Sequence, residues 1–463
     1  MSASTAPAAH EIAAAVKSGK TTATAVLDET LARIEAGNGA LNAFTAVTAA
    51  RARSEAAAVD AQVAAGGDPG PLAGVPFAVK NLFDLEGEVT LAGSIINRDN
   101  PPASSDATLV SRLVAAGAVC LGALNMGEYA YDFTGENTHE GPSRNPHDLS
   151  RMSGGSSGGS GSAVGGELVP LALGSDTNGS IRVPSSFCGI FGLKPTYGRL
   201  PRTGTFPFVD SLDHLGPMAR SAEDLALAFN AMLGGDDGDP VCSDAAPAPP
   251  EGKLDEASLR VRRLGGFFRG QGDAAVDDAA DRIAAALGAG DPLELSDVAE
   301  ARAAAFIISN IEGAALHEER LATRPGDFEP MVRDRLMAGL LLPGIHYVRA
   351  QRVRRNFAAQ LATVFAETDL LVAPATPFTA PAIGQQIGTI NGEEVLLRPN
   401  IGIYTQPISF IGLPVVVVPA GLIDGMPIGV QLIAAPWRED IALAAARRLE
   451  RDGVAAVPAP ALR

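Results

Sequence analysis

The chain has 463 residues, of which 46% are apolar, so it is long enough to bury a large core. Its 53 acidic and 36 basic residues give a formal net charge of −17, which argues against nucleic acid or an anionic membrane as the main partner. No segment reaches the roughly 18 uninterrupted apolar residues of a membrane helix, and residues 1–20 lack the pattern of a secretory signal.

The cysteines and histidines give no sign of a metal site. Cys120, Cys188 and Cys242 lie at no metal-ligand spacing, and the six histidines form no cluster. An odd number of cysteines without a disulfide pattern favours a reducing compartment. We therefore expect a cytoplasmic protein that holds neither a metal ion nor a cofactor.

The predicted elements alternate between helices and short apolar strands. Helices are predicted at 11–16, 24–35, 49–65, 107–116, 128–133, 181–187, 222–233, 274–287, 299–322, 344–366 and 440–451. Strands are predicted at 41–48, 72–80, 119–123, 168–173, 259–267, 292–295, 370–374, 415–418 and 428–433. Glycines at 37 and 39 predict the end of the second helix. This alternation indicates an α/β fold, and the Pro, Asp and Gly residues at about 234–256 predict a loop excursion.

Residues 153–180 contain two glycine and serine turns, at 153–162 and 174–180, with an apolar strand between them. Glycines let backbone N–H groups approach a ligand, and serine hydroxyls can attack a carbonyl or relay a proton. Two alternative interpretations of this segment are weaker. A flexible linker does not usually run into an apolar strand, and a phosphate loop needs a Gly-Lys-Ser/Thr ending that is missing here. The segment 154–158 matches the nucleophile elbow G-x-S-x-G, but no histidine of the chain has a recognisable context for that role.

Lys80 ends the apolar strand that precedes this segment. At the tip of a buried strand the amine would lose hydration, which favours its neutral form. A pKa lowered from about 10.4 towards 7 would make it a base near neutral pH. The alternative is a lysine whose head lies in solvent beyond the strand end.

Five segments together resemble the motifs of the amidase signature family, in the family's order. They lie at 74–80, 154–160, 176–182, 188–196 and 213–217. The resemblance covers nearly the whole chain and is weakest at about 235–330. It implies a single amidase signature domain over 1–463, with its catalytic core at about 70–220 and a mixed central β-sheet between α-helices.

The resemblance also implies a Ser-Ser-Lys triad. Ser180 corresponds to the nucleophile, Ser156 to a bridging serine that follows a cis peptide bond, and Lys80 to the base. The resemblance assigns the oxyanion hole to the backbone N–H groups of Thr177, Asn178, Gly179 and Ser180. We expect Ser180 to attack an amide carbonyl, and water to cleave the acyl-enzyme after an amine has left.

Further polar residues flank these turns. Asp176, Arg182 and Asp213 are expected to hold the loops in place, although surface ion pairing is an equal alternative. Asn178 departs from the family's commoner glycine, and asparagine tolerates unusual backbone dihedral angles better than most residues.

The chain is similar to two branches of the family. One contains the large subunits of 1-carboxybiuret hydrolase, which act in cyanuric acid degradation with a small helical partner. The other contains the glutamine-hydrolysing subunits of transfer-RNA amidotransferases. Arg335 resembles an arginine that grips a substrate carboxylate, whereas Gly402 stands where the second branch places an aspartate for the glutamine ammonium group.

This pattern favours a small carboxylated urea such as 1-carboxybiuret, with release of ammonia. Gln406, Tyr404 and Asn178 are further candidates for contacting the substrate. The alternatives are a broad-specificity amidase, a glutamine-hydrolysing component of a transfer-RNA amidotransferase and a non-catalytic scaffold protein. The resemblance also implies a small helical partner, in a homodimer or a heterotetramer, and no direct contact with nucleic acid.

Overall fold

The computed structural model describes residues 6–243 and 258–461, and these contain fourteen α-helices and fifteen β-strands. The helices are α1 (Ala9–Lys17), α2 (Ala23–Leu41), α3 (Ala49–Ala64), α4 (Thr108–Ala115), α5 (Gly158–Gly165), α6 (Arg182–Cys188), α7 (Ala222–Met232), α8 (Ala274–Ala286), α9 (Val298–Thr323), α10 (Pro330–Leu340), α11 (Gly344–Glu367), α12 (Leu397–Asn400), α13 (Gln406–Phe410) and α14 (Glu439–Arg451). The strands are β1 (Phe44–Val47), β2 (Pro76–Lys80), β3 (Val119–Leu124), β4 (Arg144–Asn145), β5 (Asp148–Met152), β6 (Leu171–Asp176), β7 (Phe191–Lys194), β8 (His214–Ala219), β9 (Val261–Leu264), β10 (Gly290–Leu293), β11 (Leu370–Pro374), β12 (Ile387–Ile390), β13 (Glu393–Leu396), β14 (Val415–Ile423) and β15 (Met426–Ala434).

Eleven strands form one mixed sheet in the order β1-β3-β2-β6-β8-β7-β14-β15-β11-β9-β10. Strand β2 runs parallel to β3 and β6, and β9 runs parallel to β10 and β11. The other neighbouring pairs are antiparallel. Helices such as α6, α8 and α14 pack on this sheet, which confirms the predicted α/β fold with a mixed central sheet.

The register of β2 and β6 places the candidate site. Every residue of both strands is buried, as expected for strands in the interior of a sheet that is covered on both faces. Val79 lies opposite Leu173 in parallel register, so the two strands end side by side. Lys80 is the last residue of β2, and Ser175 and Asp176 are the last residues of β6.

The second helix is longer than predicted, because α2 continues through the glycines to Leu41. A side chain at Gly37 would lie 2.8 Å from Leu168, so glycine here allows close packing. The Asn38 side chain accepts hydrogen bonds from the backbone N–H groups of Ala43 and Phe44, at 2.9 and 2.8 Å. The chain therefore turns after the helix rather than at its glycines.

The first glycine and serine run, predicted as a turn, forms the buried helix α5 over much of its length. A Cβ at Gly159 would lie 2.5 Å from backbone atoms of Ala43 and Asn125. The hydroxyl of Ser160 donates to the carbonyl of Leu173 in β6, at 3.0 Å. Its glycines thus serve close backbone approach, and its serines bond to the neighbouring chain.

Strands β7 and β8 and helix α10 were not predicted. Strand β8 contains Gly216 and Pro217, although proline is rare in central strands. In the structure a Cβ at Gly216 would lie 2.0 Å from the carbonyl oxygen of Leu193, so glycine is required where β8 passes β7. The loop predicted at about 234–256 is described only to residue 243, and its remainder lies outside the described residues. Among the described helices, none has the length and apolar character needed to cross a bilayer.

Candidate active site

Lys80 is fully buried, and its amine bonds to two hydroxyls. Its Nζ lies 2.6 Å from Ser156 Oγ and 2.8 Å from Ser175 Oγ. Burial lowers the pKa of Lys80 to about 7, although the negative charges of Asp213, Asp176 and Asp132 oppose the shift. The structure therefore brings Lys80 and Ser156 together as the sequence predicts, and it adds Ser175 as a second hydroxyl.

A neutral amine can satisfy both hydroxyls at once. It has two N–H donors and one lone pair, so it can donate to Ser175 and accept the proton of Ser156. The peptide bond between Gly155 and Ser156 is cis, as the family resemblance implies. Ser157, the next residue, donates its backbone N–H to the carbonyl of Ser180 at 3.3 Å, which ties the two glycine and serine turns together.

The turn at residues 177–180 follows β6 and precedes α6. Two of its backbone carbonyl groups accept hydrogen bonds. The carbonyl of Asn178 accepts from the Thr405 hydroxyl at 2.7 Å, and the carbonyl of Gly179 accepts from the Val183 N–H at 2.7 Å. Its four backbone N–H groups make no hydrogen bond within the described part of the chain. Free backbone donors in the turn that carries Ser180 are groups that can stabilise a developing oxyanion.

Gly179 is required in this turn for two reasons. Its φ of +143° is rarely adopted by residues with a side chain. A Cβ there would also lie 2.2 Å from Thr405 Oγ1. Asn178, by contrast, does not appear among the residues with positive φ, so asparagine fits its place without backbone strain.

Asp213 holds the start of this turn. It accepts a hydrogen bond from the Thr177 hydroxyl at 2.6 Å and from the backbone N–H groups of Phe208 and Val209 at 2.8 and 3.0 Å. Burial raises the pKa of Asp213 even though these three donors oppose the rise. The carboxyl group therefore connects the turn to the chain that leads into β8.

Asp176 and Arg182 form a fully buried ion pair, with Nε 2.9 Å and NH2 3.0 Å from the carboxylate oxygens. Burial alone would raise the pKa of Asp176, but the Arg182 guanidinium lowers it below its usual range. Arg182 also donates to Gln431 at 2.7 Å and to Ser409. The pair clamps the end of β6 to the first turn of α6, on either side of Ser180.

A small cavity of about 20 Å³ opens at Ser180, room for about one water molecule. Arg335 and Gln406 line it together with Thr177, Asn178 and Ser180. It is closed mainly by aromatic residues, namely Tyr131, Phe133, Phe208 and Phe306. An adjoining cavity of about 320 Å³ reaches Ser175 and Asp213 and shares Ala130 and Phe208 with the first.

Arg335 lies half-buried in the cavity wall on α10. Its guanidinium carbon is 5.2 Å from the centre of the Tyr131 ring, within the range of a cation–π contact. No carboxylate lies within 4 Å of this guanidinium among the described residues. Its charge is therefore free to bind an anionic group that enters the cavity.

Tyr404 lies apart from the cavity. Its ring stacks on Phe268 with centroids 6.0 Å apart, and its hydroxyl accepts from the backbone N–H of Gln271 at 3.2 Å. Both contacts lie in the core, so they give Tyr404 a packing role.

The described residues contain no group of three or more His, Cys, Asp or Glu side chains that could hold a metal ion.

Comparison with known proteins identifies the family. The family model for amidases matches residues 25–443. The chain belongs to the amidase family. Its fold is accordingly the amidase signature fold, and the protein is an amidohydrolase.

Two curated amidase relatives represent the two branches predicted from the motifs. The chain is 54% identical over 449 residues to AtzE of Pseudomonas sp. (strain ADP), a subunit of 1-carboxybiuret hydrolase, and the match covers 96% of this chain and 98% of that protein. It is 37% identical over 454 residues to a subunit of the glutamyl-tRNA(Gln) amidotransferase of Thioalkalivibrio sulfidiphilus (strain HL-EbGR7), and that match covers 91% of this chain and 92% of that protein.

A solved amidase-family structure has the same architecture. It is described as an unexpected vestigial protein complex that reveals the evolutionary origins of an s-triazine catabolic enzyme. The match has a TM-score of 0.95 at 53% identity and covers 98% of this chain and all of that chain.

Sequence reasoning missed three residues of this amidase site: Ser175, Arg302 and Ser309. Ser175 stands one residue before the motif that contains the predicted oxyanion hole, and its position at the end of β6 could have indicated its approach to Lys80. Arg302 donates to Gln406 Oε1 at 2.7 Å, and Ser309 accepts from Asn178 Nδ2 at 2.9 Å. Both lie on α9, in the part of the chain where the family motifs are weakest, so no local signal marked them.

Proposed function

We propose that this amidase hydrolyses a small carboxylated urea, such as 1-carboxybiuret, through a Ser-Ser-Lys triad and an acyl-enzyme, with release of ammonia. The observation that carries the proposal is the buried amine of Lys80, 2.6 Å from Ser156 Oγ. With a pKa of about 7 it is available as a base near neutral pH. In its neutral form this amine can activate the serine without a histidine or a carboxylate.

The proposed reaction passes one proton along the triad. Lys80 takes a proton from Ser156, and Ser156 takes one from Ser180 as its oxygen attacks the amide carbonyl. The free N–H groups of residues 177–180 stabilise the resulting oxyanion, each contributing about 3 kcal/mol. The same path returns a proton to the leaving amine, so that ammonia departs. Water then cleaves the acyl-enzyme at the same carbon.

Two features of the cavity support a carboxylated substrate without an α-amino group. Arg335 offers a guanidinium that can bind a carboxylate through two hydrogen bonds. A side chain at Gly402 would collide with the Phe133 ring, with its Cβ 2.5 Å from the nearest ring atom. Phe133 thus occupies the space that an aspartate for a glutamine ammonium group would need. This argues against glutamine hydrolysis and favours the branch that contains the subunits of 1-carboxybiuret hydrolase.

Replacement of the nucleophile tests the proposal most directly. Ser180→Ala should lower kcat for 1-carboxybiuret by at least about 10⁴-fold, while the circular dichroism spectrum and the melting temperature stay unchanged. Ammonia release is the measurement. Turnover that persists in this variant would remove Ser180 from the mechanism.

Arg335→Ala tests the carboxylate contact. A lost charge-assisted hydrogen bond costs about 1.5–3 kcal/mol, so KM for carboxylated ureas should rise at least about tenfold, with no such rise for neutral amides. Arg333→Ala is the matched control, because Arg333 pairs with Asp334 on the same helix at 2.8 Å. Equal effects of Arg335→Ala on charged and neutral substrates would contradict the contact.

We further propose that the chain is one amidase domain, that it works in the cytoplasm, and that it assembles with a small helical partner in a homodimer or heterotetramer. Its three free cysteines fit a reducing compartment. Leu341, Ile345 and Val348 are 84%, 53% and 47% exposed at the junction of α10 and α11, and such an apolar surface is typical of an interface. Light scattering tests the assembly, since Leu341→Asp should then lower the mass of the particle.

A further inference from the structure

Two amide side chains in the cavity wall are held in opposite orientations by residues outside it. Gln406 and Asn178 both line the cavity at Ser180. Arg302 donates to Gln406, and Asn178 donates to Ser309, and both Arg302 and Ser309 lie on helix α9. Arginine can bind only the oxygen end of an amide, whereas a serine hydroxyl can bind either end. The orientation of Gln406 therefore follows from its partner, and that of Asn178 is the one in which its Nδ2 meets Ser309 in the structure.

The orientation of Gln406 is set by a guanidinium. Arg302 Nε donates to Gln406 Oε1 at 2.7 Å, and its NH2 donates to the Pro399 carbonyl and to Asn400 Oδ1, each at 2.8 Å. Arginine is only a donor, so it can bind only the oxygen end of the Gln406 amide. The Nε2 group makes no hydrogen bond among the described residues, and it is the end that remains for a ligand.

The orientation of Asn178 is the reverse. Its Nδ2 donates to Ser309 Oγ at 2.9 Å, while its Oδ1 is buried and has no hydrogen-bond partner. Only 8% of the residue is exposed. A buried carbonyl oxygen without a donor is unfavourable, and a ligand N–H in the adjoining cavity would satisfy it. Asn178 therefore offers an acceptor where Gln406 offers a donor.

A carbonyl acceptor and an N–H donor beside one nucleophile match a ureido group. In such a substrate the atom attached to the scissile carbonyl is an N–H, and the next carbon carries a carbonyl oxygen. We infer that Asn178 accepts this N–H and Gln406 donates to this carbonyl, with Ser309 and Arg302 as the positioning residues that fix their orientation. The inference rests on the proposed function and names the part of the substrate that the pair selects.

The amides of Asn178 and Gln406 explain a selectivity for ureido substrates that Arg335 cannot provide. A carboxylate contact accepts any anionic amide of suitable length, including one with a methylene group beside the scissile carbonyl. Asn178 Oδ1 rejects that methylene group, because its buried lone pairs then stay without a partner. Sites built to hydrogen-bond a polar group discriminate strongly against analogues that lack it.

Binding to the full chain carrying Ser180→Ala tests the inference without turnover. The probes are N-carbamoylglycine and succinamate, which both carry a carboxylate and a terminal amide and differ by one N–H in place of a methylene group. Calorimetry should show N-carbamoylglycine binding at least 30-fold more tightly. Adding Ser309→Ala should reduce this ratio to less than 3-fold, and Ser309→Thr, which keeps the hydroxyl, should restore most of it.

Ser162→Ala is the control for loss of a buried serine hydroxyl, since Ser162 donates to the Arg144 carbonyl at 2.7 Å and does not line the cavity. It should leave the ratio unchanged. Equal affinities for the two probes, or a ratio that Ser309→Ala does not alter, would overturn the inference.

A second pair of probes tests Gln406 in the same Ser180→Ala background. Biuret and N-ethylurea share the N–H beside the scissile carbonyl, but only biuret has the second carbonyl. Biuret should bind at least tenfold more tightly, and Gln406→Glu, which offers only acceptors, should abolish that preference. An unchanged preference would overturn the assignment of Gln406. Failure of the proposed function is distinct, because it is seen as the absence of ammonia release by the wild-type enzyme.

Discussion

Lys80 and Arg182 are both fully buried basic side chains at the edge where β2 and β6 end, yet their surroundings differ. Arg182 faces the carboxylate of Asp176 through two hydrogen bonds. Among the described residues, Lys80 faces two serine hydroxyls and no carboxylate within hydrogen-bond distance. The guanidinium of Arg182 holds the loops, whereas burial lowers the pKa of Lys80 to about 7, so its amine can lose a proton. The comparison teaches that side-chain type and partner together separate a structural basic residue from a catalytic base.

Among the changes that test this comparison, the largest effect is expected from Lys80→Met, which removes the base and keeps the apolar stem. Loss of general base catalysis should lower kcat by about 10²–10⁴-fold. The free energy of unfolding at pH 8 should not fall. Burial lowers the pKa of Lys80 to about 7, which costs the folded state about 3 kcal/mol at this pH, and relief of this cost offsets the loss of about 1–2 kcal/mol when two hydroxyls lose their partner. Ammonia release and urea denaturation at pH 8 measure the two quantities, and a clear loss of stability would mean that Lys80 is charged in the folded enzyme.

Asp176→Asn tests the second member of the comparison, the buried ion pair of Arg182. It leaves the Arg182 guanidinium buried without a countercharge, so the free energy of unfolding should fall by about 3–5 kcal/mol. Urea denaturation measures this loss, and the surface variant Asp148→Asn serves as the control because its pair with Arg151 is partly exposed. A change below about 1 kcal/mol would show that the buried pair does not hold this edge.

The pH profile tests the protonation state of Lys80 without mutation. The active form of Lys80 is the neutral amine, so kcat/KM should rise about tenfold per pH unit below pH 7 and level off above it, since burial lowers the pKa of Lys80 to about 7. Asp213→Asn removes a negative charge that raises the pKa of Lys80, so it should move the midpoint to lower pH. A shift to higher pH would contradict this account.

The smallest effect is expected from Ser175→Ala. This change removes one of the two hydroxyls on Nζ, and a lost hydrogen bond of about 1.5 kcal/mol corresponds to about tenfold in kcat. Ser160→Ala, which removes a hydroxyl bonded to the carbonyl of Leu173 rather than to the amine, is the control. Equal losses in both variants would assign Ser175 a purely structural role.

The sequence predicted the parts of the site that adjacent residues specify. Lys80 at the end of an apolar strand, Ser156 and Ser180 lie in motifs whose residue order alone carries the signal. The class of fold followed from the alternation of helices and apolar strands. These features are local, so they can be read without knowing which distant segments meet.

The contacts between distant segments could not be predicted. Arg302 and Ser309 act through side chains about 100 and 130 positions away in sequence, namely those of Gln406 and Asn178. The glycines of α5 predicted a turn because their packing partners, at Ala43 and Asn125, lie elsewhere in the chain. Tyr404 was predicted to contact the substrate, but its ring stacks on Phe268 and it is not among the residues that line the cavity at Ser180.

The cavity at Ser180 has room for about one water molecule, much less than a small urea occupies. A bound urea would therefore have to displace side chains that line this cavity, among them Phe208, which also borders the neighbouring cavity of about 320 Å³. Binding is then accompanied by a rearrangement of the aromatic wall, and the free energy of that rearrangement is subtracted from the affinity.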